Sequence, residues 1–442
     1  MRIVIVGAGA VGLFLADKFA HEGQDVVLVE SDSDRAAEAQ AEIDCLVIHG
    51  NGASVATLRE AGLEDADLLI AVSSSDAVNV LACAAGARLK IPRKIARVED
   101  SQLKAEAEAL GVDLVIDPGK AAARELLKLA TSGHIAEKIE FADGELVLLG
   151  AYIDPEAPFV GRTLADLRES IEGWDWLVVA VIRFGETHIA RGATTLEAHD
   201  HVLMMACANR TEEAYQWLGL SSKPAEKVII LGSTRLAKLT AMMLVEHGIH
   251  TTLIEPDRDR CRHIAEELPG VVTVRGEIID PKLLQSEGVA VTDTVMALTG
   301  WDGENVLGAL VAKSLGAREV IARFSNTDIV GLVSGIGIDA TVSSRLSAAN
   351  EILRFVRRGV IHSVVTFSDS DAEAIELEVR PSSAAIGKTL ADLALPHSLI
   401  VGGIQRGGEA FVPRGNTRIE EGDHLIVIAL PEAISIAEKL SG

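Results

Sequence analysis

The stretch Arg2-Ile3-Val4-Ile5-Val6-Gly7-Ala8-Gly9-Ala10-Val11-Gly12 decides the fold of the first part of this 442-residue chain. A short apolar run, typical of a buried parallel strand, leads directly into a G-x-G-x-x-G turn and a helix-length amphipathic segment. In such a motif Gly7 permits the tight turn, Gly9 lets backbone N–H groups approach a pyrophosphate, and Gly12 lets helix and strand pack closely. The motif therefore predicts a Rossmann-type unit with an anion site at the helix N-terminus.

The residues that follow continue the same alternation. Further short apolar runs are separated by helix-length amphipathic segments, and they occupy residues 26–29, 46–48, 68–72 and 95–98. Strands that alternate with helices in this way are typical of a doubly wound parallel sheet. We therefore expect an α/β domain whose functional residues gather where the strands end.

The whole pattern occurs twice. Residues 227–232 (KVIILG) repeat 2–7 (RIVIVG), and 387–393 (GKTLADL) repeat 161–167 (GRTLADL). The second part of each repeat reads as a small α+β domain with glycine turns, whose clearest strands are 177–182, 202–206, 399–404 and 425–429. The predicted domains are a Rossmann domain at 1–118, a crossover helix with a small domain at 119–222, a second Rossmann domain at 223–342, and a second helix with a small domain at 343–442.

Composition limits the possible functions. The chain is 48% apolar but only 3% aromatic, so its cores must consist of Val, Ile, Leu and Ala. Its net charge of −24 disfavours nucleic acid, which requires a basic face. The acidity indicates either simple solubility or attraction to a basic partner surface. No apolar run approaches the roughly 18 residues of a membrane span, so we expect a cytoplasmic protein that reaches membranes through a partner.

Several polar residues follow the strands of the first repeat. Glu30 closes the second strand, where a carboxylate accepts hydrogen bonds from ribose hydroxyls and repels a 2′-phosphate. Asn51 follows the third strand, Ser73 and Ser74 end the fourth, and Arg97 lies near the end of the fifth. Arg97 either binds phosphates bidentately or serves as a structural ion-pair partner. Asp76 and Asn79 fit best as caps of the next helix.

The second repeat departs from this pattern. Its loop, Gly232-Ser233-Thr234-Arg235-Leu236-Ala237, keeps only the first glycine, and Thr234 brings a β-branched side chain to the position of Gly9. Glu255 and Arg323 occupy the positions of Glu30 and Arg97. The sequence leaves nucleotide binding by this copy open.

A helix links the two parts of each repeat. In the first repeat Asp117 and Pro118 mark its start, as N-cap and first-turn proline. In the second, Leu346, Ala349, Leu353 and Val356 recur at helical spacing. Such apolar stripes are either ordinary core contacts or the contacts of crossover helices that form a dimer.

The sequence does not indicate a separate catalytic domain. A dehydrogenase needs a substrate domain with a base and an anion clamp, and here the rest of the chain is the repeat itself. The repeated pairs Asp200-His201 and Asp423-His424 are the nearest acid–base candidates, and a solvated turn is their favoured interpretation. We therefore predict a protein that is not an enzyme, with an NAD-dependent dehydrogenase or a stand-alone nucleotide sensor as alternatives.

The glycine loop, the acidic end of strand two, the "IARV" arginine and the "GRTLADL" segment together resemble the RCK family, regulators of K⁺ conductance. Two such units in tandem look like the cytosolic regulatory subunit of Trk-type potassium uptake. The resemblance implies a homo-oligomeric ring, dimeric or tetrameric, beneath a membrane potassium-translocating subunit. It also implies NAD(H), and ATP or ADP, as ligands that gate transport. The ligand residues it implies are Gly7, Ala8, Gly9, Ala10, Val11, Glu30, Ser73, Ser74 and Arg97.

Overall fold

The computed structural model describes residues 1–132, 137–153, 157–170, 175–183, 186–198, 200–218, 225–325, 336–356, 361–367, 370 and 372–442. Residues 221–224, which span the predicted boundary between the two repeats, lie outside these ranges.

The first repeat opens with a six-stranded parallel sheet of order β3-β2-β1-β4-β5-β6. Its strands are β1 (Arg2–Val6), β2 (Asp25–Glu30), β3 (Leu46–His49), β4 (Leu68–Ala71), β5 (Arg93–Arg97) and β6 (Leu114–Ile116). Its helices are α1 (Ala10–His21), α2 (Ser33–Glu42), α3 (Val55–Glu60), α4 (Asp76–Arg88) and α5 (Ser101–Ala109), followed by the linking helix α6 (Pro118–Ser132). The order reverses direction at β1, which opens a crevice at the carboxyl ends of the strands.

The core of this domain explains why its strands read as unbroken apolar runs. Helices cover both faces of the sheet, so consecutive residues of β1 are buried on opposite sides. Ile3 and Ile5 join one apolar cluster, and Val4 and Val6 join the other. The predicted strand pattern is confirmed, since each apolar run coincides with a strand.

The second repeat has the same parallel sheet, in the order β14-β13-β12-β15-β16-β17. Its strands are β12 (Lys227–Leu231), β13 (His250–Glu255), β14 (Val272–Arg275), β15 (Thr294–Ala297), β16 (Glu319–Arg323) and β17 (Ala340–Val342). Its helices are α9 (Arg235–Glu246), α10 (Arg258–Glu267), α11 (Pro281–Ser286) and α12 (Asp302–Ser314), with α13 (Ser344–Val356) as the linking helix.

Each small domain is built on a five-stranded sheet. The first has the order β10-β9-β11-β8-β7, with β7 (Glu137–Phe141), β8 (Leu146–Tyr152), α7 (Leu164–Ser170), β9 (Trp176–Arg183), β10 (Glu186–Ile189), β11 (His201–Cys207) and α8 (Thr211–Leu218). The second has the order β18-β19-β22-β20-β21, with β18 (Ile361–Thr366), β19 (Glu373–Glu378), β20 (Leu399–Arg406), β21 (Glu409–Phe411), β22 (His424–Ala429) and α14 (Ile434–Glu438). The two sheets share one apolar cluster, to which Leu203 and Met205 contribute from the first domain and Ile426 and Ile428 from the second. The fold class expected from the sequence, two Rossmann-like domains each followed by a small α+β domain, is confirmed.

The compact units of the chain do not coincide with its sequence repeats. One unit comprises residues 1–122 together with 344–356, and the other comprises 123–343 together with 357–442. Helix α13, which belongs to the second repeat, buries Ala349, Ile352 and Leu353 in the core of the first Rossmann domain. Arg345 also lies over the Phe14 ring of α1 at 5.3 Å. The apolar stripe of this helix is therefore a core contact within a single chain, and the dimer-forming alternative stays a prediction.

The linking helix of the first repeat begins as expected. The Asp117 carboxylate accepts hydrogen bonds from the backbone N–H groups of Gly119 and Lys120, at 3.0 and 3.2 Å. Pro118 is the first helical residue, where its missing N–H costs nothing. From Ala123 onward the helix belongs to the unit that contains the second Rossmann domain, and the Ala225 amide donates to the carbonyl of Ala130 at 2.8 Å.

Candidate nucleotide-binding site

The glycine loop of the first repeat has the conformation that its motif requires. Gly7 has a φ of +104°, and its N–H donates to the Val29 carbonyl of β2 at 2.8 Å. A Cβ at Gly7 would lie 2.7 Å from the Ser73 backbone, and one at Gly12 would lie 1.9 Å from the Gly7 oxygen. These two positions therefore admit only glycine.

Gly9 serves a different purpose. Its backbone is ordinary, with φ −79° and ψ 179°, and it is the N-cap of α1. Nothing lies within 4 Å of the position a Cβ would take. The side chains of Ala8 and Val11 are buried, whereas Ala10 is exposed. The loop thus presents open space at the start of a helix whose first amide groups have no N-cap side chain, which is the arrangement that receives an anion.

Glu30 is held against this loop. Its Oε2 accepts from the Ala8 amide at 2.6 Å, and its Oε1 accepts from the amides of Ser31 and Asp32 at 2.7 and 3.0 Å. Burial raises the pKa of the Glu30 carboxyl, but the hydrogen bonds from Asp32, Ala8 and Ser31 outweigh burial and leave the pKa below its ordinary value. The carboxylate is therefore ionised and fixes the loop. A carboxylate offers about four acceptor sites, so Oε2 retains one for a ribose hydroxyl.

The polar residues that end β4 are organised by a residue whose role the sequence did not reveal. Asn79 is fully buried. Its Oδ1 accepts from the amide and hydroxyl of Ser73 at 2.9 and 2.7 Å, and its Nδ2 donates to the carbonyls of Ser73 and Arg97 at 3.0 and 2.9 Å. Asn79 thus joins the ends of β4 and β5. The expectation that it caps α4 is wrong, because Ser75 is the N-cap.

Asp76 does not cap the helix either. Its Oδ2 accepts from the backbone amides of Glu99 and Asp100, each at 2.9 Å, so it holds the loop that follows β5. Ser74 and Asn51 are exposed. The Asn51 Oδ1 accepts from the Ala53 amide at 2.9 Å and stabilises the turn after β3.

Arg97 has a partner. Its Nε donates to Glu99 Oε1 at 3.1 Å, its Nη2 contacts the same oxygen, and both side chains are about one-third exposed. In this structure Arg97 therefore acts as the ion-pair partner of Glu99. A phosphate at this position would share or replace Glu99, since a guanidinium has five donors.

The second repeat keeps the frame of the site but closes its loop. Gly232 has a φ of +94°, and its amide donates to the Ile254 carbonyl at 2.8 Å, as Gly7 does to Val29. Thr234, however, fills the position of Gly9. Its hydroxyl accepts from the Ala237 amide at 3.3 Å and donates to the Leu298 carbonyl at 2.7 Å. The start of α9 is therefore capped by its own chain.

The remaining second-copy residues are less tightly bound than their counterparts. Within the part of the chain that the structure describes, only the Asp257 amide donates to the Glu255 carboxylate, at 3.0 Å. Arg323 donates to the Thr299 carbonyl at 2.9 Å and has no acidic partner among the described residues, because Ser325 occupies the position of Glu99. Asn305 repeats the bridge of Asn79, between Thr299 and Arg323.

The acid–base candidates of the small domains have a structural role, and their interpretation as solvated turns is wrong. Asp200 is buried and accepts from Arg183 Nε and Nη2, both at 2.7 Å. Asp423 is paired in the same way with Arg406, at 2.7 and 2.8 Å. In both domains a buried carboxylate, held by two hydrogen bonds from a partly exposed arginine, fixes the turn before β11 or β22.

A cavity of about 740 Å³ lies between the two small domains. The repeated Arg-Gly pairs line it, Arg191 with Gly192 from the first domain and Arg414 with Gly415 from the second. Arg191 reaches across to the carbonyls of Pro396 and Leu399, at 3.1 and 2.7 Å. Each small domain carries such a pair ahead of its Asp-His pair in the sequence, and the structure brings both Arg-Gly pairs to one cavity.

Comparison with known proteins agrees with the repeat. The TrkA-N domain family matches residues 3–118 and 228–344, and the TrkA-C domain family matches residues 148–219 and 374–442. A Trk system potassium uptake protein TrkA homolog of Archaeoglobus fulgidus is 33% identical over 445 residues, covering all of both chains. The Trk system potassium uptake protein TrkA of Halomonas elongata is 32% identical over 441 residues, covering 97% of this chain and 96% of its own.

Solved structures show the same fold. The GsuK RCK domain matches with a TM-score of 0.60 and 18% identity, covering all of this chain and 95% of its own. The GsuK channel bound to NAD matches with a TM-score of 0.61 and 19% identity, covering all of this chain and 78% of its own. No helix in the described ranges is long and apolar enough to cross a membrane.

Proposed function

This chain belongs to the TrkA family, and we propose that it is the cytosolic, nucleotide-sensing regulatory subunit of a Trk-type potassium uptake system. In this proposal, NAD(H) or an adenine nucleotide binds the first Rossmann domain and sets the activity of a membrane potassium-translocating subunit. The chain lies at the inner face of the membrane as a homo-oligomeric ring. Its relatives carry the name of potassium uptake proteins, and two similar structures are described as bound to NAD and to ADP.

The observation that carries the nucleotide part is the open helix start at Gly9. A pyrophosphate there would accept hydrogen bonds from the amides of the loop and the first turn of α1. Glu30, beside the loop, would accept a ribose hydroxyl through Oε2. Ser73, Ser74 and Arg97, at the ends of β4 and β5, would complete the site, with Asn51 at its rim. Gly232, Glu255 and Arg323 would form a second, weaker site, because the Thr234 hydroxyl already caps the start of α9.

No catalysis is needed for such a role. A ligand that binds two conformations of a ring unequally shifts their populations by the difference in its affinities. A coupling of about 1–3 kcal/mol between the nucleotide site and the transporter would change activity roughly 5- to 150-fold. We accordingly expect NADH to bind without being consumed when 2-oxo acids or aldehydes are added. Enzyme-dependent loss of NADH absorbance would favour a dehydrogenase.

The test of the site is Gly9→Asp in the full chain, followed by calorimetric titration with NADH, NAD, ATP and ADP. A carboxylate at this position repels phosphate, and the fold should tolerate it, because Gly9 has an ordinary backbone conformation and Asp is a favourable N-cap. The matched control is Thr234→Asp, the same substitution at the equivalent position. We expect Gly9→Asp to abolish binding to the first site and Thr234→Asp to leave it unchanged. Unchanged affinity in a folded Gly9→Asp protein would contradict the assignment.

The test of the transport role is genetic and biochemical. Deleting the gene should impair growth at low external K⁺, and Glu30→Ala should blunt nucleotide dependence while the complex with the membrane subunit persists. Light scattering of the purified chain should give a dimer or a tetramer. Normal K⁺ uptake without the protein, together with no association with a potassium-translocating subunit, would refute the role.

A further inference from the structure

The start of helix α12 differs from its counterpart in the first repeat at several exposed positions. Asp302 and Asn305 match Asp76 and Asn79, and they make the same kinds of contact. Directly before Asp302, Trp301 replaces Ser75, and directly before Asn305, Glu304 replaces the half-buried Val78. The frame of the turn is thus retained while its outer surface has changed.

Trp301 is an exposed aromatic residue on a rigid backbone. The residue is 74% exposed, the largest value among the exposed large apolar residues of the described chain. Its amide donates to the Thr299 hydroxyl at 3.1 Å, that hydroxyl donates back to the Trp301 carbonyl at 3.2 Å, and the Asn305 amide donates to the same carbonyl at 3.1 Å. Tryptophan is enriched among the residues that dominate protein–protein binding energy, and a pre-ordered backbone lowers the entropy cost of using it.

Two carboxylates lie beside Trp301 in the chain, those of Asp302 and Glu304. Glu304 is exposed, and within the described ranges no group donates to its carboxylate. Asp302 directs both carboxylate oxygens at the Ser325 amide and adds to the negative potential. Arg323, at the end of β16, is half-buried and donates to the Thr299 carbonyl. We call Trp301, Asp302 and Glu304 the α12 tip.

We propose that the α12 tip docks a Lys/Arg-bearing cytoplasmic loop of the membrane potassium-translocating subunit. An arginine side chain stacks on the indole face by a cation–π contact, and Glu304 pairs with a neighbouring basic residue. Cytoplasmic loops of membrane proteins carry an excess of Lys and Arg, which complements both the tip and the net charge of −24. The same tip of a second copy is a poorer occupant, because two acidic tips would repel each other. The inference rests on the proposed transport role.

The experiment measures binding of the full chain to the purified potassium-translocating subunit of the same organism, held in nanodiscs, by biolayer interferometry. Trp301→Ala should weaken binding about 30-fold or more, the effect of losing a hot-spot residue of about 2 kcal/mol. Glu304→Lys should weaken it about tenfold and make it less sensitive to added salt, since it removes an ion pair and places like charges together. The matched control is Val291→Ala. Val291 is 71% exposed, but it precedes the amino end of β15, whereas Trp301 follows the carboxyl end of the same strand.

Each variant is checked by its melting temperature and by NADH titration, which should match the unsubstituted chain. If the unsubstituted chain binds the membrane subunit and Trp301→Ala binds equally well, the α12 tip is not the docking surface. If Trp301→Ala and Val291→Ala weaken binding equally, the effect is nonspecific and the inference also fails. If the unsubstituted chain does not bind the subunit at all, the proposed transport role fails instead.

Discussion

The buried asparagine that joins β4 and β5 gives the sharpest test of how the first crevice is built. Asn79→Ala removes four hydrogen bonds, three of them to backbone groups of Ser73 and Arg97. A buried backbone group left without a partner costs about 1–3 kcal/mol. Because Ser73 and Arg97 are partly exposed and water can replace some of these bonds, we take the lower end of that range for each group. The expected loss is then about 3 kcal/mol of unfolding free energy.

The same substitution should weaken nucleotide binding, because Ser73 and the Arg97 backbone lose their common anchor. Urea denaturation followed by circular dichroism measures the stability loss, and calorimetry measures NADH affinity at a temperature where the variant is folded. Asn305→Ala is the matched control, since Asn305 makes the equivalent bridge in the second repeat. We expect a similar stability loss from both variants but reduced NADH affinity only from Asn79→Ala. If the unfolding free energy of Asn79→Ala lies within about 0.5 kcal/mol of that of the unsubstituted chain, the Asn79 bridge contributes little to stability and our reasoning is wrong.

Three further predictions concern charged groups. Asp423→Asn should lower the unfolding free energy by about 2 kcal/mol or more, which is less than the 3–5 kcal/mol of a fully buried pair because the Arg406 side chain is 31% exposed. Glu420→Gln, which changes the exposed partner of the same arginine, should lower the unfolding free energy by less than about 1 kcal/mol. Equal losses from the two variants in urea denaturation would contradict this prediction. Burial raises the pKa of Glu319 to about 8 against an ordinary 4.5, so the folded chain holds a proton that the unfolded chain releases, and stability should fall as pH rises between these values. Glu319→Gln should flatten that decline, and an unchanged slope would refute it. The hydrogen bonds lower the pKa of Glu30 in the folded chain, so the carboxylate stabilises the fold fully above its ordinary pKa, and this stabilisation is lost as the pH falls through the pKa of the folded state. The difference in unfolding free energy between the unsubstituted chain and Glu30→Gln should therefore shrink in acid. A difference that does not change with pH would show that the charge of Glu30 does not matter.

Local patterns predicted the framework of the fold well. The run from Arg2 to Val6 and its repeat at Lys227–Leu231 are strands because consecutive apolar side chains suit a sheet covered on both faces. The helix start at Asp117 was equally predictable, since capping depends on residues two or three positions away. Gly7 and Gly12 were assigned correctly because their roles are set by the backbone of the motif itself.

Contacts between distant parts of the chain were beyond such patterns. Asp200 and His201 resembled a polar turn because their sequence neighbours are polar, whereas the partner that buries Asp200 is Arg183 on another strand. Asn79 resembled a cap because it follows Ser75 and Asp76, but its partners lie at the ends of two strands. The stripe on α13 predicted burial without indicating which core receives it. In each case the contacting residue is distant in sequence and is brought close by the topology of the fold, which the periodicity of a local segment does not indicate.

The crossing of α13 has a consequence for how the protein behaves on dilution. When two separate chains exchange a helix, their pairing weakens as their concentration falls. Here the helix and its receiving domain belong to one polypeptide, so their association is unimolecular. The seating of α13 on the first Rossmann domain is therefore independent of how many molecules the cell contains. It also means that a gene cut at residue 222 would produce a first fragment missing part of its own core.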